Sequence, residues 1–344
     1  MPEHEDGYRE LRHAIMGYIV SQAIFAVTEA GVPDLLADGP AEAGDLAERA
    51  GADADALVRF LRVLVAEGLF TEGPRGTFAL TATGAYLRAD RPGSLRHLVT
   101  LMAGEPYRAW GLAGHSLRTG EPAFDELFGQ PMFAWLRAHP AESAAFDTAQ
   151  AGLVTVRMQP LVERDWSDAR TVVDVGGGTG ELLRTLLAGN PHLRGVLFDL
   201  PHVAGEADVP AERCAVVGGD FFTGVPAGGD VYVLAQILHD WDDHAALRIL
   251  REVAAAMPPH GTLLVVEQVI PEDDARHPEK ILDLHMLVLL GGRERTAGEW
   301  RRLFAAGGFA LTEIEHGTRS ALLVGKLRGP GRTMSGQQDN GAGN

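Results

Sequence analysis

The densest run of reactive side chains is Gln236-Ile237-Leu238-His239-Asp240-Trp241-Asp242-Asp243-His244. Imidazole and carboxylate together can move a proton or bind a metal. The carboxylates have a plainer explanation. A helix is expected from about residue 245 to 257, and Asp240, Asp242 and Asp243 stand where a helix N-terminus takes caps and negative charge. No metal is expected. His239 follows an apolar run that reads as a strand, so it should sit above the end of a sheet. An ordinary imidazole, with a pKa near 6.5, is largely neutral at neutral pH and able to accept a proton, so His239 is the candidate general base. A histidine that only packs and hydrogen-bonds at a strand end is the alternative.

A second constellation lies earlier, at Thr171-Val-Val-Asp174-Val-Gly176-Gly-Gly178-Thr-Gly180. The apolar run suits a buried parallel strand, the glycines a sharp turn open to a ligand, and residues 181–189 a helix. Together they make the first unit of a nucleotide-binding α/β domain. The dinucleotide fingerprint does not fit. Started at Gly176 it meets Glu181 where its third glycine belongs, and started at Gly178 it meets Leu183. The spacing Asp174-x-Gly176-x-Gly178-x-Gly180 instead resembles the S-adenosylmethionine (SAM) methyltransferases, whose ligand needs no pyrophosphate cradle.

Ligands of doubly wound sheets bind at the carboxyl ends of the strands. The next two expected strands end at Phe198-Asp199-Leu200-Pro201 and Gly218-Gly219-Asp220-Phe221-Phe222. A carboxylate at Asp199 can accept from both ribose hydroxyls. Asp220 can accept from the adenine amino group while Phe221 packs on the ring. Read singly, each Asp is also a good cap or turn residue.

These ends must be positioned by a sheet. Strands are expected at 171–175, 194–199, 214–218, 230–235, 261–267, 309–315 and 319–326, alternating with helices, and the last two should pair as an antiparallel edge. Ahead of the sheet, residues 94–160 read as mainly helical and carry Trp110, Phe124, Phe128, Met132, Phe133, Trp135, Phe146 and Met158. Such side chains suit either an aromatic ligand or an apolar core. Trp110 and Phe133, with Met286 further on, are the expected substrate contacts. Helices near 43–50 and 53–67, with a hairpin across 69–80, give a winged-helix plan. The helix over residues 10–30 is apolar most of the way round, so a partner chain is expected to cover it.

Composition excludes several functions. The 344 residues, 46% hydrophobic, allow two domains with their own cores. The net charge of −17 disfavours nucleic-acid and anionic-membrane partners. Residues 1–100 carry nine Lys and Arg against 15 Asp and Glu, so the winged-helix plan lacks the basic footprint of a DNA reader. The single cysteine, Cys214, suits a reducing cytoplasm, and the acidic N-terminus is unlike a secretory signal. The run Ala14 to Val27 is too short to span a bilayer. A soluble, cytoplasmic protein is expected.

Taken in order, Asp-x-Gly-x-Gly-x-Gly, Phe-Asp-Leu-Pro, Gly-Asp-Phe-Phe, Ile-Leu-His-Asp-Trp-Asp-Asp and Gly-Gly-Arg-Glu-Arg-Thr (291–296) resemble the small-molecule O-methyltransferases. These are the plant phenolic enzymes and the actinobacterial enzymes that tailor aromatic polyketides and related antibiotics. The resemblance runs from the N-terminal domain to about residue 327. It implies a seven-stranded Rossmann-like SAM methyltransferase domain (166–327), a mainly helical winged-helix dimerisation domain (1–100) and a helical linker and substrate cap (101–165), while residues 328–344 cannot bury a core and are expected to form a disordered tail. It implies SAM as methyl donor, S-adenosylhomocysteine as product, a phenolic aromatic substrate and a homodimer formed through the N-terminal domain. By the same resemblance His239 looks like the catalytic base, with Glu267 and Glu294 flanking it. Asp174, Gly176, Gly178, Gly180, Asp199, Leu200, Gly219, Asp220, Phe221 and Phe222 would hold the cofactor. Read alone, Glu267 is a carboxylate satisfied at a strand end, and Glu294 an ion-pair partner of Arg293 or Arg295. The alternative function is a SAM-binding hydroxylase or decarboxylase built on the same scaffold.

Overall fold

The computed structural model describes residues 2–317 and 320–329, so the expected tail lies outside the described residues beyond Gly329. The chain divides into two compact units, residues 1–155 with 287–290 and residues 156–286 with 291–344.

The first unit opens with α1 (Pro2–Glu29), α2 (Val32–Leu35), β1 (Ala41–Glu42), α3 (Ala43–Ala50), α4 (Ala54–Ala66), β2 (Phe70–Gly73) and β3 (Thr77–Leu80). Asp53 caps α4 by accepting from the Ala56 amide at 2.8 Å. Leu57, Leu61 and Leu64, at helical spacing, turn one face of α4 onto Phe70 and Phe78 of the hairpin. The hairpin gains a third strand that its sequence does not announce, because Ala41 and Glu42 pair with Phe78 and Thr77 in the order β1-β3-β2. Along α1 only the C-terminal part, at Ala23 and Val27, enters this core. Tyr8, Leu11, Ile15 and Tyr18 remain 68%, 63%, 63% and 56% exposed, a stripe at helical spacing left open to a partner. Helices α5 to α11 follow (Arg96–Ala103, Glu105–Trp110, Ala113–Thr119, Ala123–Phe128, Met132–Ala138, Pro140–Arg157 and Gln159–Val162). In the first unit they build a second core from Ala109, Phe124, Met132, Trp135 and Leu136 with Val288 and Leu289.

The second unit is a seven-stranded sheet. Its strands are β4 (Thr171–Val175), β5 (Arg194–Asp199), β6 (Cys214–Gly218), β7 (Val231–Ala235), β8 (Thr262–Glu267), β11 (Phe309–His316) and β12 (Ala321–Leu327). Two short strands outside it, β9 (Val269–Ile270) and β10 (Arg295–Thr296), pair with each other in parallel. The order is β11-β12-β8-β7-β4-β5-β6, with β12 antiparallel to both β8 and β11 and the other pairs parallel. The central strands are continuously apolar because helices α12 (Glu181–Gly189), α13 (Pro201–Ala204), α14 (Asp243–Ala256), α15 (Pro278–Leu290) and α16 (Ala297–Ala306) connect them. Ile249, Leu250 and Val253 of α14 and Trp300 and Phe304 of α16 pack on Tyr232, Leu234, Leu263 and Leu323. Truncating fully buried Trp300 to alanine would cost about 3–5 kcal/mol. Among the described residues no helix is long and apolar enough to cross a membrane.

Strand order reverses at β4, where β5 lies on one side and β7 on the other. The carboxyl ends of β4, β5, β6, β7 and β8 therefore converge on one crevice of the second unit.

Candidate active site

The glycine turn begins directly after β4. Gly176 has φ +74°, and a Cβ there would lie 2.5 Å from Ile237 Cδ1, so both conformation and space require glycine. The Gly176 amide donates to the Phe198 carbonyl at 2.8 Å, tying the turn to β5. Asp199, at the end of β5, accepts from the Gly178 amide through Oδ2 at 2.8 Å and from the Leu200 amide through Oδ1 at 2.7 Å. Each carboxylate oxygen has two lone pairs, so both keep one for a ligand. Burial nevertheless pushes its pKa above the usual range, with the two amides working the other way.

Asp174 lies beneath the turn, 1% exposed, and its Oδ2 is buried without a hydrogen-bond partner. Burial, reinforced by the charge of Asp199, pushes its pKa up to about 7. A buried acceptor with no donor is costly, so this oxygen suits a ligand bearing a cationic donor. Beyond β6, the Gly219 amide donates to the Asp199 carbonyl at 2.9 Å. Asp220 accepts from the Phe222 amide at 2.8 Å, the turn contact open to any Asp in such a position. The Phe221 and Phe222 rings stand edge-on to Trp241 at 6.0 and 4.8 Å between centroids. The ten residues from Asp174 to Phe222 expected to hold a cofactor thus occupy three adjacent strand ends. Asp174 with an unpartnered Oδ2 beside a turn without side chains suits the methionine part of SAM, Asp199 with spare lone pairs the ribose, and Asp220 with Phe221 the adenine.

The second cluster forms at the ends of β7 and β8. His239, 5% exposed, lies in a single turn of 3₁₀ helix (Leu238–Asp240) after β7. Its Nδ1 is 2.7 Å from Glu294 Oε1 and 3.7 Å from Glu267 Oε2. Glu267 ends β8, and its Oε1 accepts from the Leu238 and His239 amides at 2.8 and 3.2 Å. Glu294 pairs with neither neighbouring arginine. Its amide donates to Asp283 Oδ1 of α15 at 2.9 Å, which turns its side chain towards the imidazole. Donor atoms of His239, Glu267 and Glu294 all lie within 4.8 Å of one another, a spacing that would also suit a metal. The 2.7 Å contact is the length of a charge-assisted hydrogen bond, and Glu267 is already occupied by amides, so proton sharing accounts for the group.

The helix-cap reading of the aspartates holds for two of the three. Asp242 caps α14 through the Ala245 amide at 2.7 Å, and Asp243 lies in its first turn. Asp240 instead turns inward, with Oδ1 at 3.4 Å from His239 Nε2 and 19% of its side chain exposed. Its pKa is pushed up to about 6 by burial, opposed by His239. Burial works against a charged His239, but Glu267, Asp240 and Glu294 outweigh it and raise the imidazole to about 10, so the ring is held protonated at neutral pH rather than largely neutral as expected from its ordinary value. Glu267 is itself displaced upwards by burial, with His239 pulling the other way.

Three neighbours of this cluster were given no role in the site by the sequence. Gln236 adopts a left-handed conformation (φ +58°) between β7 and the 3₁₀ turn. Its Nε2 donates to the Val266 carbonyl at 3.1 Å and to Glu267 Oε2 at 3.3 Å, leaving Oε1 buried without a partner. Arg157 is depressed by burial but held charged by Glu267, Glu294 and Asp240. Arg295 is fully buried and bonds backbone carbonyls rather than Glu294. Of the expected substrate contacts, Trp110 and Phe133 pack against the second core of the first unit, Phe133 edge-on to Phe146 at 6.2 Å. Met286 is 8% exposed, on α15 in the second unit.

Comparison with known proteins points the same way. A sequence profile of an O-methyltransferase domain matches residues 110–310, and one of an O-methyltransferase dimerisation domain matches residues 12–90. The phenazine O-methyltransferase PhzM of Lysobacter antibioticus is 46% identical over 312 residues, covering 88% of this chain and 91% of that one. The O-demethylpuromycin-O-methyltransferase of Streptomyces alboniger is 42% identical over 312 residues, covering 87% of this chain and 83% of that one. An O-methyltransferase from neocarzinostatin biosynthesis, solved with SAM and 2-hydroxy-5-methyl naphthoic acid, superposes with a TM-score of 0.76 at 34% identity, covering 90% of this chain and 96% of that one. The chain belongs to the SAM-dependent O-methyltransferases.

Proposed function

We propose that this enzyme methylates a phenolic hydroxyl of an aromatic natural product, with His239 as the general base. The observation that carries the reading is the buried imidazole held at Nδ1 by Glu294, 2.7 Å away, so that Nε2 is the atom that takes the proton in the neutral form of the ring. Relatives named for phenazine and puromycin substrates, and a neighbour solved with a naphthoic acid, support the aromatic class.

SAM supplies a methyl group already activated on a sulfonium. The remaining work is alignment and removal of one proton. As the substrate oxygen takes the methyl, its proton passes to Nε2, and the imidazolium is stabilised by Glu294 and Glu267 on one side and Asp240 on the other. Charge is conserved within the site, because the cluster gains a proton as the donor loses its sulfonium charge. A pKa of about 10 for His239 matches that of a phenol, also about 10, so the transfer is nearly balanced.

Asp174 Oδ2 would accept from the ammonium of the donor's methionine part, Asp199 would hold the ribose, and Asp220 with Phe221 the adenine. Gly176, Gly178 and Gly180 would admit the methionine part, while Leu200, Gly219 and Phe222 complete the adenosine contacts. Trp110, Phe133 and Met286 remain the proposed substrate contacts, and 101–165 the proposed cap. Two copies would join through the exposed stripe of α1. The test is incubation with methyl-deuterated SAM and a panel of phenolic aromatics. An aryl methyl ether carrying the label is expected. A product that gains oxygen or loses carbon dioxide would move the enzyme to the hydroxylase or decarboxylase reading.

A further inference from the structure

The segment carrying Glu294 is fastened to the turn carrying His239 by one backbone hydrogen bond and by the side chain of Arg295. The Arg293 amide donates to the His239 carbonyl at 2.8 Å. Gly292 allows the approach, since a Cβ there would lie 2.1 Å from the His239 carbonyl oxygen. The main fastening is one side chain. Arg295 is 0% exposed, and its guanidinium donates to the Leu238 carbonyl at 2.9 Å, the Trp241 carbonyl at 2.9 Å and, more weakly, the Arg293 carbonyl at 3.3 Å. Its Nε donates to Asp243 Oδ1 at 2.9 Å, and the group lies over the Trp300 ring, 5.1 Å from its centre. The Arg295 backbone pairs with Val269, two residues beyond Glu267. A planar fork of five donors can span carbonyls on both sides of His239 at once, whereas an ammonium is a single point.

We propose that Arg295 is a positioning residue for proton transfer, holding the Leu238 and Trp241 carbonyls so that His239 stays against Glu294. The proposal rests on the reading of His239 as the base. Arg295 is hydrogen-bonded to the turn and not to the imidazole, and acts only through the turn. The two carbonyls it binds bracket His239, and Glu294 is its immediate chain neighbour, so its geometry sets the distance between them. Loosening it lets the ring drift from Glu294 while the glycine turn and Asp199 stay intact.

The test uses the full-length chain with Arg295→Lys and Asp243→Asn, the second removing the outer anchor without hollowing the interior. Three readouts are compared: SAM affinity by calorimetry, single-turnover methyl transfer to a phenol, and the low-field proton resonance of His239 Nδ1–H, assigned by its loss in His239→Asn. A misplacement of about 1 Å costs on the order of 100-fold in rate. Arg295→Lys is expected to lose that much with SAM affinity unchanged and the resonance moved upfield. Asp243→Asn should shift both in the same direction by less. Folded variants with wild-type rate and an unmoved resonance would overturn the proposal. If Arg295→Lys does not fold, Asp243→Asn decides alone by the same resonance. Unimpaired methyl transfer by His239→Asn would refute the base assignment instead, and the resonance would still report whether Arg295 holds the ring.

Discussion

Asp174→Asn should make the ligand-free protein more stable and the cofactor site weaker. Asp174 is 1% exposed, one of its oxygens has no partner, and its pKa is pushed from the ordinary carboxylate range up to about 7. Between about pH 4 and 7 the folded chain therefore holds a proton that the unfolded chain has released. Stability must fall as pH rises through that window, because the folded state binds more protons there. A displacement of about three units at about 1.4 kcal/mol each makes the full fall roughly 4 kcal/mol, complete above pH 7. Asparagine keeps the shape and cannot ionise. Urea unfolding of both ligand-free proteins between pH 4.5 and 8.5 should show the variant gaining on the wild type as pH rises, by an amount approaching that figure. SAM affinity should fall at least about tenfold, the worth of one hydrogen bond to a charged group. An unchanged pH dependence, or a variant less stable than wild type at pH 8, would refute the claim that Asp174 is an unpaired buried acid awaiting a cationic donor.

Other consequences are equally open to measurement. Asp199→Ala removes the proposed ribose acceptor and should weaken SAM and S-adenosylhomocysteine by roughly tenfold or more in calorimetry. Ile15→Glu puts a charge into the exposed stripe of α1 and should move the protein from dimer to monomer in sedimentation at micromolar concentration, with secondary structure intact. The methylation rate should climb through the neutral range towards about pH 10, because the raised pKa of His239 keeps the imidazole protonated until then. A plateau from about pH 6.5, the ordinary imidazole value, would show that the surrounding carboxylates do not govern it.

Much of the sheet could be read from sequence because its central strands are buried on both faces. Apolar runs at 171–175 and 194–199 coincide with β4 and β5, and the run at 214–218 marks β6, an edge strand exposed from Ala215 onwards. The C-terminal hairpin was legible from two runs a few residues apart. Strand β1 was not, since Ala41 and Glu42 have no strand propensity and are paired only because Phe78 and Thr77 present an edge. The proposed catalytic cluster was the least legible. His239, Glu267 and Glu294 are brought together by β7, β8 and the loop after α15, and no local spacing encodes that meeting. The resemblance to known methyltransferases supplied the grouping. Asp240 could not be told from its capping neighbours, because its inward turn depends on the 3₁₀ geometry. The left-handed Gln236 and the carbonyl-binding Arg295 follow from tertiary contacts that leave no periodic trace.

The most direct test of the account is single-turnover methyl transfer from SAM to a phenolic substrate by His239→Asn, with SAM affinity measured on the same preparation. Loss of a positioned general base predicts a rate lower by about 10²–10⁴-fold with SAM binding unchanged. A variant that binds SAM and methylates at the wild-type rate would contradict it, placing the proton elsewhere and leaving alignment alone to do the chemistry.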